Sequence, residues 1–458
     1  MNARAYVALA ALAVILLASF FIRGQHLSAP FYYDEAVYVD LAQHPFHSAF
    51  YDDPIFFRHP PAHYLLLYGL GQVAGYSETA MRLPSLCFAV TTAFLIYSLG
   101  ACLFSRMVGF IAALLLAFNV LNQQYAEAAT MYAMLAFLLT LCCYGFVRER
   151  EWPVAVGFLG AIYTHYFGFM LAPAVLLFYH RKFEGNWKKI LGRIALYALA
   201  YAPWLVIAAQ GVAFHANRTS GLRWWSFHWL HAIRQMSLVL FVGLLGFLFV
   251  RRRDRKLQPV LLVCGLYLLA AFFLIPFHRY LVPLLPVFIL FGVAAIMQAI
   301  AHLAVRFDWK PQLGNAILMI SGACALLLPN PQAYGLFPYT GAHVDLRDSI
   351  HAQEWDQVIA AIPDSAKVAT PNARSLLFYS NLRGLRRYQV EQFNENKKEF
   401  AGLLESAKHD WIVLSKYPIY EALLEVADQN AAYTRVAEFA HTILYRKQLN
   451  QSPGMILK

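Results

Sequence analysis

Charged residues are scarce in this chain of 458 residues, where Asp, Glu, Lys and Arg together make up only 14%. Ordinary soluble domains carry about 25% charged residues. Hydrophobic residues account for 60% of the chain, and apolar runs of membrane-spanning length recur through its first three quarters. This composition excludes an ordinary soluble protein and predicts a mainly α-helical, polytopic membrane protein.

Cysteine is also rare, and every cysteine lies in an apolar segment. Two of them, Cys142 and Cys143, are adjacent, which is not a metal-binding spacing. The pattern argues against a disulfide framework and indicates small residues in the core or facing lipid. The cysteines are Cys87, Cys102, Cys142, Cys143, Cys264 and Cys324.

Acidic residues are outnumbered by basic ones, which gives a net charge of +11. The basic residues do not form a nucleic-acid-binding surface by position, because they lie in short loops between apolar runs. The cluster "RRRDRK" at 251–256 is one example. Basic loops of this kind are typical of the cytoplasmic side of a membrane protein. We therefore expect membrane lipids, and no nucleic acid, as partners.

The apolar pattern predicts eleven membrane spans. The first is interpreted as an uncleaved signal anchor, since no small-x-small cleavage site follows it. With the N-terminus in the cytoplasm, the predicted inner loops hold more Lys and Arg than the outer ones. The predicted spans are 5–22, 80–104, 108–123, 128–147, 153–165, 167–179, 191–210, 236–250, 258–275, 281–300 and 311–328.

This topology requires a helix break within "THYFG" (164–168), which places His165 on the outer side. The outer loop 23–79 is expected to contain two interfacial helices, around residues 37–42 and 62–73. After about residue 345 the sequence is charged and mixes helical and strand patterns.

The sequence therefore predicts a transmembrane domain at 1–329 and an external soluble α/β domain at 330–458. The location expected is the inner (plasma) membrane, with the C-terminal domain on the periplasmic side.

An acidic pair, Asp34 and Glu35, follows the first span within "FYYDEAVYVDLAQ" (31–43), next to Tyr33. Two interpretations stay open for Asp34. As an N-cap it would accept backbone N–H bonds from an amphipathic helix. As a functional carboxylate it would serve as a general base or metal ligand at the membrane surface.

Cationic side chains recur on the same outer side of the predicted topology. Arg58 and His59 precede a Pro-Pro pair, Arg82 opens the second span, and Arg279 lies in "IPFHRYLVPLLP" (275–286). A guanidinium binds phosphate oxygens in a bidentate way and stays charged at any relevant pH. The alternative is that the arginines at span ends extend toward lipid headgroups.

Aromatic and histidine side chains accompany these motifs and are candidates to line a substrate site. They are Tyr125, Tyr132, His165, Trp224, His278 and Tyr280. Interfacial aromatic belts and structural histidines are the alternatives. No spacing among the external histidines is diagnostic of a metal, so no metal site or other cofactor is predicted, although a divalent metal stays an open alternative.

The order of these motifs resembles the GT-C glycosyltransferases, and among them the superfamily of protein O-mannosyltransferases and aminoarabinose transferases. The resemblance covers roughly residues 1–300. It consists of the acidic pair after the first span, the His-Pro-Pro element at 59–61, "SETAMRLPS" (77–85) and the segment beginning "HRY" at 278.

The resemblance implies a polyprenyl-phosphate sugar donor and transfer to a lipid, glycan or protein acceptor at the external face, usually with inversion. It implies that Asp34 is the catalytic carboxylate and Glu35 its partner. It also implies that Arg58, His59 and Arg279, with Arg82, contact the donor phosphate.

Two positions depart from the pattern: His59 stands where many relatives have Lys, and Thr130 where relatives often have Arg. A polytopic transporter or lipid flippase is the alternative function. It is less favoured, because transporters typically show repeated halves and mid-membrane acids, and neither is evident here.

Overall fold

The computed structural model describes most of the chain from residue 59 to 307 and parts of both ends. The described residues are 13–14, 16–21, 24, 27–28, 31, 33–44, 59–216, 243, 246, 255–273, 278–307, 355–363, 365–370, 389–392, 397–416, 421–439 and 442–448. The chain divides into two compact units, one formed by residues 1–28 and 42–339 and the other by residues 29–41 and 340–458.

Helices dominate the described part of the first 307 residues. Short 3-10 turns occur at Tyr166–Leu171, His278–Tyr280 and Val282–Leu284. The α-helices are α1 (Tyr33–Gln43), α2 (Ala62–Ala74), α3 (Glu78–Leu103), α4 (Arg106–Phe118), α5 (Val120–Ala126), α6 (Tyr132–Arg148), α7 (Glu151–Thr164), α8 (Ala172–Lys182), α9 (Trp187–Ala216), α10 (Leu257–Phe273) and α11 (Leu285–Arg306).

Two helical segments among the described residues are long and apolar enough to cross a bilayer, Glu78–Leu103 and Val282–Arg306. Serine caps mark the start of Glu78–Leu103 and of the shorter helix α4. The Ser77 hydroxyl accepts a hydrogen bond from the Ala80 N–H at 3.3 Å, and Ser105 caps α4 through the Val108 N–H at 3.2 Å. Each cap satisfies a backbone donor that the first helical turn leaves without a partner.

Small residues let neighbouring helices approach closely. A Cβ atom added to Gly100 of α3 would lie 2.5 Å from the Cα atom of Gly109 in α4. One added to Gly157 of α7 would lie 2.7 Å from the carbonyl oxygen of Leu138 in α6. Close backbone packing at small residues is typical of helix pairs in membranes, where hydrophobic burial contributes little to association.

The predicted break near residues 164–168 is present, since α7 ends at Thr164 and a 3-10 turn follows. One span boundary was wrong. Residues 108–123 form two helices, separated at Asn119, whose side-chain oxygen accepts the Asn122 N–H at 3.1 Å. This local cap competes with continuation of the helix. The predicted spans 236–250 and 311–328 lie almost wholly outside the described residues, so the total of eleven stays a prediction.

The C-terminal unit contains a five-stranded mixed sheet in the order β2-β1-β3-β5-β4. Strand β1 pairs in parallel with β2 and β3, whereas β5 pairs antiparallel with β3 and β4. The strands are β1 (Lys367–Thr370), β2 (Gln389–Gln392), β3 (Trp411–Ser415), β4 (Tyr433–Glu438) and β5 (Thr442–Lys447), and the helices are α12 (Trp355–Ala361), α13 (Lys397–Ser406) and α14 (Glu421–Asp428).

The core of this sheet is apolar and includes Phe400, Leu404, Ile412, Leu414 and Tyr445, all buried. The sequence pattern predicts strands at "KVAT" (367–370), "DWIVLSK" (410–416) and "HTILYRK" (441–447), and β1, β3 and β5 lie there. Strands β2 and β4 were missed, because their polar sequences lack clear alternation of apolar residues. The division of the chain at residue 329 stays a prediction.

Candidate functional site

His165 lies at the break between α7 and the following 3-10 turn. Its backbone is extended, with φ −156° and ψ 144°. The side chain is 4% exposed, and its Nδ1 atom accepts a hydrogen bond from the Phe167 N–H at 3.1 Å. Because Nδ1 is an acceptor, a neutral His165 carries its proton on Nε2 and presents a donor there.

Four aromatic rings surround the His165 imidazole. The ring centroids of His59, Phe167 and Tyr280 lie 5.1, 5.2 and 5.4 Å from its own, and that of Tyr132 lies at 6.2 Å. These residues come from four separate stretches of the sequence. We call His59, Tyr132, His165 and Tyr280 the histidine–tyrosine cluster.

The cluster continues into further aromatic residues on two sides. Tyr125 contacts Tyr132 edge-on at 5.2 Å. Phe167 contacts both Tyr280 at 5.1 Å and the buried Tyr267 of α10 at 5.3 Å. Edge-to-face and tilted ring pairs of this kind hold polar aromatic side chains in defined orientations.

Arg279 brings a cation to the cluster. Its Cζ atom lies 5.9 Å from the centroid of the Tyr280 ring, within the range of a cation–π contact. The 3-10 turn His278–Tyr280 carries both residues. The structure thus brings together Tyr125, Tyr132, His59, His165, Arg279 and Tyr280 from the predicted set.

Arg82 has a different environment from the other predicted phosphate contacts. It is 3% exposed, and its Nη1 atom donates to the carbonyl oxygen of Leu27 at 2.9 Å. One turn further along α3, the Ser85 hydroxyl donates to the carbonyl oxygen of Thr130 at 3.4 Å. These bonds favour a bracing function for this end of α3.

The acidic pair lies on α1. This helix begins at Tyr33, so Asp34 is inside its first turn and the N-cap interpretation was wrong by one or two positions. Glu35 is fully buried. At the other end of α1, the carbonyl oxygens of Ala42 and His44 accept hydrogen bonds from the Tyr76 and Tyr64 hydroxyls at 2.9 and 2.8 Å.

Several predicted residues lie outside what the structure describes. They are Arg58, Trp224 and the side chains of Tyr33, Asp34 and His278. Among the described residues, no three His, Cys, Asp or Glu side chains are grouped so that they would bind one metal ion.

Two residues beside the cluster were not among the predicted site residues. Phe167 belongs to the "THYFG" motif, so the predicted helix break at 164–168 was the sequence feature that could have identified it. Tyr267 is the single tyrosine of the largely apolar helix α10, and no local pattern in the sequence distinguishes it from a core residue.

Residues 58–210 match the family of dolichyl-phosphate-mannose-protein mannosyltransferases. No curated protein sequence matches the chain. Among solved structures, the chain is similar to ArnT from Cupriavidus metallidurans, in the apo state and bound to undecaprenyl phosphate. Both comparisons give a TM-score of 0.56 and 16% identity, over 97% of this chain and 98% of that chain.

The chain is also similar to the oligosaccharyltransferase AglB from Archaeoglobus fulgidus, in complex with an inhibitory peptide and a dolichol-phosphate. Here the TM-score is 0.51 and the identity 12%, over 88% of this chain and 69% of that chain. At these identities the likeness establishes the fold. The fold that the resemblance implies is therefore confirmed, and the chain has the GT-C fold of the ArnT type.

Proposed function

We propose that this chain is a membrane glycosyltransferase that moves a sugar from a polyprenyl-phosphate donor to a lipid, glycan or protein acceptor, with inversion. Two proteins of the same fold support a lipid-phosphate donor, since ArnT was solved with undecaprenyl phosphate and AglB with a dolichol-phosphate. The proposed location is the inner membrane, with the N-terminus in the cytoplasm and the C-terminal domain, residues 330–458, outside.

The observation that carries the proposal is the histidine–tyrosine cluster. Four separate sequence motifs contribute to it. The rings of His59, Tyr132 and Tyr280 all contact His165, and Tyr132 also contacts Tyr280. Buried packing alone does not require histidines and tyrosines at these positions. Hydroxyl and imidazole donors beside the Arg279 guanidinium suit a phosphate group that gains charge during transfer.

The chemistry is a single displacement at the anomeric carbon. The acceptor oxygen forms a bond to that carbon while the bond to the phosphate oxygen breaks, and the polyprenyl phosphate leaves. Arg58, Arg279 and His59 stabilise the developing negative charge, and the Nε2–H of His165 adds a donor. Arg82 is proposed as a more distant contact or brace.

Asp34 accepts the proton of an acceptor hydroxyl, and Glu35 supports it. If the acceptor is itself a phosphate, no base is required and Asp34 orients the acceptor instead. The remaining predicted residues line the donor and acceptor groups; they are Tyr33, Tyr125, Tyr132, Trp224, His278 and Tyr280.

The test is transfer by the purified protein in lipid nanodiscs, supplied with polyprenyl-phosphate sugars and envelope lipid extracts. We expect a glycosylated product with inverted anomeric configuration, and a loss of about 100-fold or more in D34N, the range of general-base catalysis. The exposed Glu405 of α13 provides the control variant E405Q, which should transfer normally. Parallel reactions with EDTA test a divalent metal.

Unchanged transfer by D34N would remove Asp34 from the chemistry. Movement of the lipid across the bilayer with no product from any donor would instead favour the transporter or flippase alternative. Mass spectrometry of cellular glycolipids with and without the protein would then identify the acceptor.

A further inference from the structure

A strongly basic surface lies at the end of the helices opposite His165. Helix α7 runs from Glu151 to Thr164, a rise of about 20 Å at 1.5 Å per residue. At its Glu151 end, the adjoining ends of α6, α7, α8 and α9, the loops between them and the two residues before α10 carry nine Lys and Arg but three Glu. We call this the basic face: Arg148, Glu149, Arg150, Glu151, Arg181, Lys182, Glu184, Lys188, Lys189, Arg193, Arg255 and Lys256.

Ion pairs and hydrogen bonds show that these loops meet. Glu151 pairs with Arg193 at 3.0 Å and with Lys182 at 3.5 Å. Arg181 donates to the carbonyl oxygen of Arg255 at 2.6 Å and to the side chain of Gln258. These contacts bring the ends of α7, α8, α9 and α10 together on one basic side, where the Glu151 carboxylate pairs with two cations.

Two lysines of the basic face are available to bind an anion. Lys188 and Lys189 are exposed at the start of α9, and neither makes an ion pair within the described part of the chain. The Nζ atom of Lys189 lies 6.0 Å from the Phe183 ring. Trp187 beside them is 56% exposed, which is the position of an aromatic residue at a membrane interface.

Within the described part of the chain, helix α9 has an exposed side that is largely apolar. Ile190, Tyr197 and Tyr201 are buried along one stripe, while Leu196 and Leu199 are 53% and 73% exposed. Leu191 and Ile194 extend the exposed apolar side to within one turn of the two lysines. The surface thus combines a cationic end with an adjoining apolar side, and its complement is an amphiphile with an anionic head.

We propose that the basic face and the exposed side of α9 bind an anionic phospholipid, whose headgroup phosphate lies on Lys188 and Lys189 and whose acyl chains follow Leu191, Ile194 and Leu199. Basic sites between helix ends at the cytoplasmic side are suited to anionic headgroups. The proposal rests on the membrane location proposed above. It is independent of sugar transfer, because this surface lies at the opposite end of α7 from His165.

The experiment compares the wild type with K188Q/K189Q after purification with an equimolar mixture of phosphatidylglycerol and phosphatidylcholine. Native mass spectrometry measures which lipid is retained, and thermal unfolding measures the shift in Tm caused by each lipid. The exposed lysines of the C-terminal unit give the control variant K398Q/K408Q. Neither variant alters the Glu151 pairs, so both should fold.

We expect the wild type and the control to retain phosphatidylglycerol preferentially, and K188Q/K189Q to lose about tenfold in that preference. Transfer activity should be similar in all three proteins, which separates this result from failure of the proposed reaction. Equal retention of the two lipids by the wild type, or an unchanged preference in K188Q/K189Q, would overturn the proposal. An equal shift in Tm from inorganic phosphate alone would identify a free-anion site instead and would also refute it.

Discussion

The imidazole rings of His59 and His165 lie 5.1 Å apart between centroids, with an interplanar angle of 35°. His59 precedes the two prolines before α2, and His165 lies at the break after α7. The contact places the residue before the Pro-Pro pair directly beside the broken helix. A phosphate oxygen bound by one ring would therefore lie close to the other.

Replacement of His165 should separate its structural function from its chemical one. The H165N side chain can accept the Phe167 N–H as Nδ1 does, whereas H165Q reaches the position of Nε2. We expect H165N to retain its Tm but lose transfer at least tenfold, because the Nε2 donor is missing. H165Q should retain more transfer but lose about 1 kcal/mol of stability, because the side chain no longer accepts the Phe167 N–H as an N-cap.

The measurements are Tm in detergent and kcat/KM for the lipid-phosphate donor, with H180Q as the control at an exposed histidine. If H165N transferred sugar as fast as the wild type, the Nε2 donor would have no part in the reaction. If both variants lost stability equally, the Nδ1 bond would not explain the break.

The break at His165 could be predicted from the distribution of charge over the whole chain. With alternating spans, only a break within "THYFG" keeps the basic loop 180–193 on the predicted side of the other basic loops. The polar residues of the site occur at the ends of predicted spans, and each end offers few positions. These residues come together because the helices between them bring those ends to the same side.

Contacts distant in sequence were not predictable in the same way. The sequence identifies Arg82 as a cation at a span end but does not show that its guanidinium binds the carbonyl oxygen of Leu27. Tyr267 resembles any core tyrosine until the packing of α10 places it against Phe167. The cap at Asn119 was overlooked because the surrounding run is apolar enough to read as one helix.

Arg82 should contribute mainly to stability rather than to binding of the donor. Its guanidinium is buried and donates to Leu27, so R82Q removes the charge and substitutes a shorter amide donor, which leaves a buried carbonyl with a poorer partner. We expect a loss of about 2–4 kcal/mol, measured as a lower Tm. R82K, which keeps one donor and the charge, should recover part of it.

The donor KM distinguishes the two functions of Arg82. A tenfold or larger rise in KM for the lipid-phosphate donor, with Tm unchanged in R82Q, would favour a direct phosphate contact over a brace. An R279Q variant measured in parallel provides the comparison, because Arg279 is proposed to contact the donor phosphate and lies beside the Tyr280 ring.

Gly168 allows the chain after His165 to pack directly on α7. A Cβ atom at this position would lie 2.4 Å from the carbonyl carbon of Ala161 and 2.5 Å from its oxygen. Because these are backbone atoms, the clash is not relieved by moving a side chain. We expect G168A to lose about 1–3 kcal/mol and to reduce transfer, since the 3-10 turn carrying Phe167 must shift.

The control for this variant is G192A on α9, where an added Cβ has no neighbour within 4 Å. Alanine favours an exposed helix by up to about 1 kcal/mol relative to glycine, so G192A should leave Tm unchanged or slightly raised. A G168A protein with wild-type Tm and activity would show that α7 and the turn are free to separate.

His63 should make the folded state sensitive to acid. Burial lowers its pKa from 6.5 to about 3, so the unfolded chain binds a proton between these values and the folded chain does not. Stability from the neutral His63 is therefore complete above pH 6.5 and falls as the pH drops toward 3, by on the order of 1 kcal/mol per pH unit.

Thermal unfolding from pH 7.5 to 5 should show a smaller fall in Tm for H63Q than for the wild type. The variant H302Q, at an exposed histidine of α11, should follow the wild type, and identical slopes for H63Q and the wild type would refute the assignment.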